Sequence, residues 1–258
     1  PSISVNRQQF LNNSIRDLHD SLEPLGQHII VCQQPEKNLS QIIENYGITH
    51  VFRSQGQHML DSKSWDCLNI KYPSVEFCET GGNRLFNEQQ FPFDLGNLPA
   101  SFSKFRRKVE KIEILAPQSA VAKLPPPIID PIEWPRAFYT SDNPTQMNFV
   151  GGQTAGSLHL EKYFQTSFAS TYKQTRNGLD GMNYSTKFSP WLASGCISVR
   201  RIVQRLKQYE SEVIANDSTY WIYFELLWRE YFQWYGEHFA RKMTEFSGIK
   251  DQAPNTSF

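Results

Sequence analysis

Cysteine is the first scarcity. Cys32, Cys67, Cys78 and Cys196 are spread over 258 residues with no CxxC pair and no matched spacing to the six histidines. That argues against a zinc framework and a disulfide scaffold, and it favours a reducing compartment: the cytoplasm, or an organelle or the nucleus in a eukaryote. Surplus charge is also missing. Twenty-six basic residues face 26 acidic ones, so no global electrostatic footprint speaks for nucleic acid, although balance permits a local basic groove. No apolar run approaches the roughly 18 residues of a membrane span, and no signal peptide opens the chain. Internal repeats and low-complexity tracts are absent. Aromatic residues, by contrast, make up 14% of the chain and concentrate late in it, which excludes disorder and implies a sizeable core.

The first hundred residues alternate between helical and extended patterns. Phe10, Leu11, Ile15, Leu18 and Leu22 recur at helical spacing over 6–22, and Gly26 stops them. His28–Cys32 then reads as a short buried strand. A helix over 37–46 uses Leu39, Ile42, Ile43 and Tyr46, with Gly47 closing it. Ile48–Phe52 is the next strand, 57–70 a polar helix, and Ser74–Cys78 a third strand. Such alternation suits right-handed crossovers in a doubly wound parallel sheet. A sheet of this kind ordinarily begins with a strand, yet the first pattern here is a helix. The expectation is therefore an incomplete α/β domain whose first strand lies upstream.

The pattern changes after residue 91. Ser101–Glu113 reads as a helix with Phe102, Phe105 and Val109 on one side and Lys104, Arg106, Arg107 and Lys108 on the others, a cluster that is more often a solvated face than a nucleic-acid patch. Prolines from Pro117 to Pro135 make 115–145 an extended linker. Helices follow at 151–168, 190–194, 199–209 and 218–243. The expected division is 1–114 α/β, 115–145 linker and 146–258 all-α.

Three constellations could carry chemistry. Tyr184-Ser-Thr-Lys-Phe-Ser-Pro-Trp191 packs three hydroxyls, Ser185, Thr186 and Ser189, around Lys187. Ser189-Pro190 has the form of a helix start, where free N–H groups and the dipole can hold a phosphate; simple capping is the commoner meaning. Tyr172 and Arg176 are four apart and would share a helix face, as a surface contact or as a cofactor or phosphate contact. Tyr220–Tyr235 is rich in aromatics at core spacing, and Glu225 sits among them beside Leu226, Leu227 and Trp228. A partly buried carboxylate there needs a partner, which an arginine or a flat heterocycle could supply.

Together the segments are more specific than any one alone. Gly151-Gly-Gln-Thr-Ala155, Thr171-Tyr-Lys-Gln-Thr-Arg-Asn-Gly178, Tyr184-Ser-Thr-Lys-Phe-Ser-Pro-Trp-Leu-Ala-Ser-Gly-Cys196 and Ser218-Thr-Tyr-Trp221 followed by Phe224-Glu-Leu-Leu-Trp-Arg-Glu230 resemble, in order and spacing, the DASH cryptochromes of the cryptochrome/DNA photolyase family. Leu98–Glu110 resembles their interdomain helix. The resemblance covers almost the whole chain and is strongest over 151–245.

It implies an α/β antenna domain followed by the first part of a helical FAD-binding domain. It implies a photolyase-type carbon–carbon lyase, in which excited reduced flavin splits cyclobutane pyrimidine dimers in single-stranded DNA after the lesion is flipped out. The alternatives are a blue-light photoreceptor without repair, and a non-catalytic fragment binding nucleic acid or a partner. By resemblance Tyr172, Ser185, Thr186, Lys187, Phe188 and Ser189 hold FAD. Arg176, Glu225, Trp228 and Arg229 meet DNA, with Glu225 the catalytic residue at the lesion's base edges. No metal is implied, and the expected state is a monomer off the membrane. The family's flavin-ring acids and tryptophan electron-transfer chain are expected beyond Phe258. Gly56 stands where the antenna glutamate is expected, which weighs against a methenyltetrahydrofolate antenna.

Overall fold

The computed structural model describes residues 3–32, 35–54, 59–134, 149–178, 181–182, 184–239, 242–245 and 247–249, and the backbone alone for residues 35, 59–63 and 244. Gly56 therefore lies outside the described residues. In chain order the main elements are α1 Val5–Leu22, α2 Pro35–Tyr46, β1 His50–Ser54, α3 Met59–Lys71, β2 Glu76–Thr80, α4 Phe102–Val109, α5 Gln153–Phe164, α6 Phe168–Thr175, α7 Ser189–Ala193, α8 Val199–Glu212 and α9 Asp217–Phe239. They form two compact units, each assembled from two stretches: Pro1–Pro35 with Ala116–Tyr223, and Glu36–Leu115 with Phe224–Phe258. These units follow contacts rather than chain order, so they divide the sequence differently from the 1–114, 115–145 and 146–258 partition.

The first unit is helical. Ser4 starts α1, its Oγ accepting from Arg7 N at 3.4 Å. Helix α1 reaches the start of α5 through two glycines. A Cβ on Gly151 would lie 1.9 Å from the Phe10 carbonyl oxygen. Gly152 has φ +108°, and a Cβ there would lie 2.6 Å from Asp17 Cβ. Without those side chains, Asp17 Oδ2 accepts from Thr154 N at 3.1 Å and caps α5 from another helix. Leu160, Tyr163 and Phe164 of α5, with Val199, Ile202, Val203, Leu206 and Tyr209 of α8, form the buried core. The Phe164 and Tyr209 rings are 5.7 Å apart, and Arg205 Nε binds Glu161 Oε2 at 2.9 Å beside them.

The strand expected at 28–32 is absent. An extended run becomes a strand only with a neighbour to bond, and here the partner is a side chain: Trp134 Nε1 donates to the Ile29 carbonyl at 3.1 Å. Trp134 also packs on His19, ring centroids 4.9 Å apart, and Gln27 Nε2 donates to the Pro125 carbonyl at 2.7 Å. The described part of the linker is thus strapped along residues 19–29.

The second unit holds the sheet. Strands β1 and β2 are parallel, His50 opposite Glu76 and Ser54 opposite Thr80, with α3 as crossover. Each strand begins two residues later than its sequence pattern. The Ile48 amide is spent on the Ile43 carbonyl at 3.3 Å and the Val75 amide on Tyr72 at 3.0 Å, so the ladder opens at Glu76 N to Thr49 O, 2.8 Å. Helix α4 buries Phe102, Phe105 and Val109 and leaves Lys104, Arg107 and Lys108 exposed.

Candidate functional site

Two groups of side chains match the expected site residues, one in each unit. In the first unit, α6 carries both Tyr172 and Arg176, the latter as its C-cap with its amide on the Tyr172 carbonyl at 2.9 Å. Tyr172 is buried in the core, and its nearness is one reason that the phenol of Tyr163 is pushed upward, after burial itself and together with Tyr209. The Arg176 guanidinium lies over the Trp221 ring at 4.4 Å, with Lys173 Nζ 5.8 Å from the same ring and 2.9 Å from Asp217.

The Ser185–Ser189 loop is a built turn. Lys187 has φ +53°, a left-handed conformation that costs a non-glycine residue about 1–2 kcal/mol. Two of the loop's contacts fix the neighbours of Lys187. Phe188 is 2% exposed, its ring 5.4 Å from Tyr163 and 5.6 Å from His159. His159 donates from Nε2 to the Thr186 carbonyl at 2.8 Å, which fixes the tautomer because a carbonyl only accepts. The same imidazole stacks on Trp191 at 4.9 Å, and Trp191 Nε1 donates to the Val150 carbonyl at 2.9 Å.

Ser189 does not cap α7 as the Ser-Pro pattern implied. It is the first helical residue, Phe188 holds the cap position, and no side chain caps the end. Among the described residues the hydroxyls of Ser185, Thr186 and Ser189 make no hydrogen bond. Three hydroxyls without a partner among the described residues stand here beside a lysine and the start of α7, a set of donors whose chemistry suits an anion.

In the second unit the carboxyl-terminal part of α9 presents Glu225, Trp228 and Phe232 on one face, at i, i+3 and i+7. Glu225 is half-buried. Trp228 stacks on Phe102 of α4 at 3.7 Å and 15° and on Phe232 at 5.4 Å and 24°, and Phe232 is 59% exposed. Arg229 turns inward: its Nη1 donates to the Asn83 carbonyl at 2.8 Å and to Gln233 at 3.1 Å. Burial works against its charge, and neighbouring Glu230 works for it.

Sequence reasoning missed Glu230, whose side chain is wholly buried. Its carboxylate accepts from Leu85 N at 2.8 Å, Phe86 N at 3.2 Å and Trp234 Nε1 at 2.8 Å. Burial pushes its pKa up, and the three hydrogen bonds and Arg229 pull the other way. Arg84 completes the group, its guanidinium 3.8 Å over the Trp234 ring and ion-paired to Glu237. Only the i, i+4 pair Glu230/Trp234 was visible in sequence. His159 was also missed, although it sits four residues before Tyr163 on the apolar stripe of α5. No cluster of His, Cys, Asp and Glu among the described residues could hold a metal, and no described helix is long and apolar enough to cross a membrane.

The DNA photolyase family model matches residues 2–127. Cryptochrome DASH of Vibrio parahaemolyticus is 42% identical over 254 residues, covering 98% of this chain and 56% of its own. The Arabidopsis thaliana protein described as chloroplastic/mitochondrial cryptochrome DASH is 34% identical, covering 90% of this chain and 43% of its own. The crystal structure of a Synechocystis cryptochrome superposes with a TM-score of 0.85 at 33% identity, over 94% of this chain and 53% of that one. A class III photolyase from Agrobacterium tumefaciens gives 0.78 at 19% identity, a likeness of fold alone, over 93% of this chain and 52% of that one. The chain spans a little over half the length of the first of these relatives.

Proposed function

From the premise that this chain belongs to the cryptochrome/DNA photolyase family, in its DASH branch, we propose that it serves a blue-light flavoprotein that repairs cyclobutane pyrimidine dimers in single-stranded DNA. The observation that carries the reading is the α9 face, where a half-buried carboxylate, Glu225, and an indole, Trp228, stand one turn apart. Glu225 accepts hydrogen bonds from the base edges of a flipped dimer, and Trp228 packs against them. Arg176 and Arg229 belong to the DNA-contacting stretches. Arg176 is held by Trp221 with its planar fork suited to a phosphate. Arg229 acts from behind, by fixing the Asn83 carbonyl.

Ser185, Thr186, Lys187 and Ser189 would hold the FAD phosphates, Phe188 anchors that turn, and Tyr172 lies beside the cofactor. The donor set suits a pyrophosphate. When bound, reduced and excited by blue light, FAD supplies the electron that opens the dimer. In one unit the residues of this chain would hold the phosphates; in the other Glu225 and Trp228 would hold the bases. A second reading has its own support: Phe102 already covers one face of Trp228, which leaves less ring for a base and favours a photoreceptor that binds flavin without repair.

The test is direct. The protein, given reduced FAD and blue light, should restore thymines in a single-stranded oligonucleotide carrying one dimer, and Glu225→Ala should slow repair while flavin stays bound. Dimers left intact by the flavin-loaded protein end the repair reading in favour of the photoreceptor. Flavin lost from Glu225→Ala instead moves that residue to the cofactor.

A further inference from the structure

We infer that Glu230 is a positioning residue: its clamp on the Asn83–Phe86 segment sets the rotation of α9 and so aims Glu225 and Trp228. This rests on the proposed reading that those two residues face the lesion. Four consecutive residues of the segment are each bound by the helix. Arg229 takes the Asn83 carbonyl, Glu237 and the Trp234 ring take the Arg84 guanidinium, and Glu230 takes the amides of Leu85 and Phe86. Leu85 and Phe86 are 0% and 1% exposed, so the contact is dry as well as hydrogen-bonded.

The clamp also lies on the opposite side of α9 from the candidate site. At about 100° per residue, Glu230, Trp234 and Glu237 share one face, while Glu225, Trp228 and Phe232 share the other. A helix gripped by apolar packing alone can roll. A carboxylate that must reach two successive backbone amides and an indole at once fixes the roll angle. At a radius of about 5–6 Å, a roll of about 10° moves a side chain by about 1 Å, and a misplacement of that size can cost about 100-fold in a reaction. The segment follows β2 directly, so Glu230 also ties the carboxyl end of the sheet to this helix within the same unit.

The experiment labels the chain with 5-fluorotryptophan and assigns the Trp228 resonance by Trp228→Phe. Glu230→Gln keeps one acceptor oxygen but turns an NH2 toward a backbone N–H. It should shift the Trp228 fluorine resonance and, by fluorescence titration, lower the preference for a dimer-containing over an undamaged single-stranded oligonucleotide about tenfold. Leu68→Ala, which destabilises the same unit from α3, should leave that resonance in place. If Glu230→Gln does not fold, Trp234→Phe removes one donor of the clamp and should shift the resonance in the same way. An unmoved Trp228 resonance, or an equal shift in Leu68→Ala, overturns the inference. A wild-type chain without preference for the dimer defeats the functional reading instead, and the fluorine resonance still decides the clamp.

Discussion

Two loops of this protein are both pinned to helices, and they are pinned in opposite ways. The Asn83–Phe86 segment spends its polar groups on α9: a carbonyl, two amides and a guanidinium each have an internal partner. The Ser185–Ser189 turn is held through the Thr186 carbonyl and the Phe188 ring among its contacts, and the hydroxyls of Ser185, Thr186 and Ser189 bond to nothing among the described residues. The first loop satisfies its own polar groups; the second leaves three hydroxyls unbonded among the described residues and carries a left-handed residue, Lys187. That difference is what the proposed roles, a holding segment and a phosphate-binding turn, require of the two loops.

Removing each pin should give the largest effects. Glu230→Ala leaves two buried amides and an indole N–H without an acceptor and should cost about 3–5 kcal/mol of unfolding free energy in urea. Phe188→Ala deletes a buried ring from the other loop and should cost about 3 kcal/mol. Equal losses of hydrogen-bond order in both loops would erase the distinction. A smaller effect is the pH dependence. Burial raises the folded pKa of Glu230 above the ordinary carboxyl value of 4.5, so the folded state holds more protons between the two values. This group's contribution therefore falls as pH rises from 4.5 through the folded pKa, by at most about 1.4 kcal/mol per pH unit. Glu230→Gln should remove that slope in denaturation midpoints measured across the range. The smallest effect is expected at the turn. Lys187→Gly relieves the left-handed strain but frees the unfolded chain, leaving stability within about 0.5 kcal/mol. The loss of the ammonium should still weaken FAD binding by calorimetry.

The same contrast explains what the sequence could disclose. Helix α1 and the buried stripe of α4 were legible because Phe10 and Phe102, Phe105 and Val109 follow the helical period. The strands were legible in kind but slipped by two residues, since Ile48 and Val75 give their amides to preceding helix ends, a matter of backbone geometry. The 28–32 run read as a strand because nothing local reveals that its carbonyl is met by an indole about a hundred residues on. Motif spacing led to Lys187 and Glu225. Glu230 stayed hidden because its backbone partners are 144 and 145 residues away.

The cap that Asp17 places on α5 has a consequence in time. The two partners are 137 residues apart, so at about 5–20 residues per second a ribosome needs roughly 7–27 s to deliver the second after the first. Throughout that interval α1 lacks α5, and Phe10 lacks the Trp191 ring that packs 6.2 Å from it; α5, once made, is capped by a helix already waiting for it. The pair Gly151-Gly152 is thus a docking slot kept clear for a helix made earlier, and a side chain placed there would be felt first during synthesis.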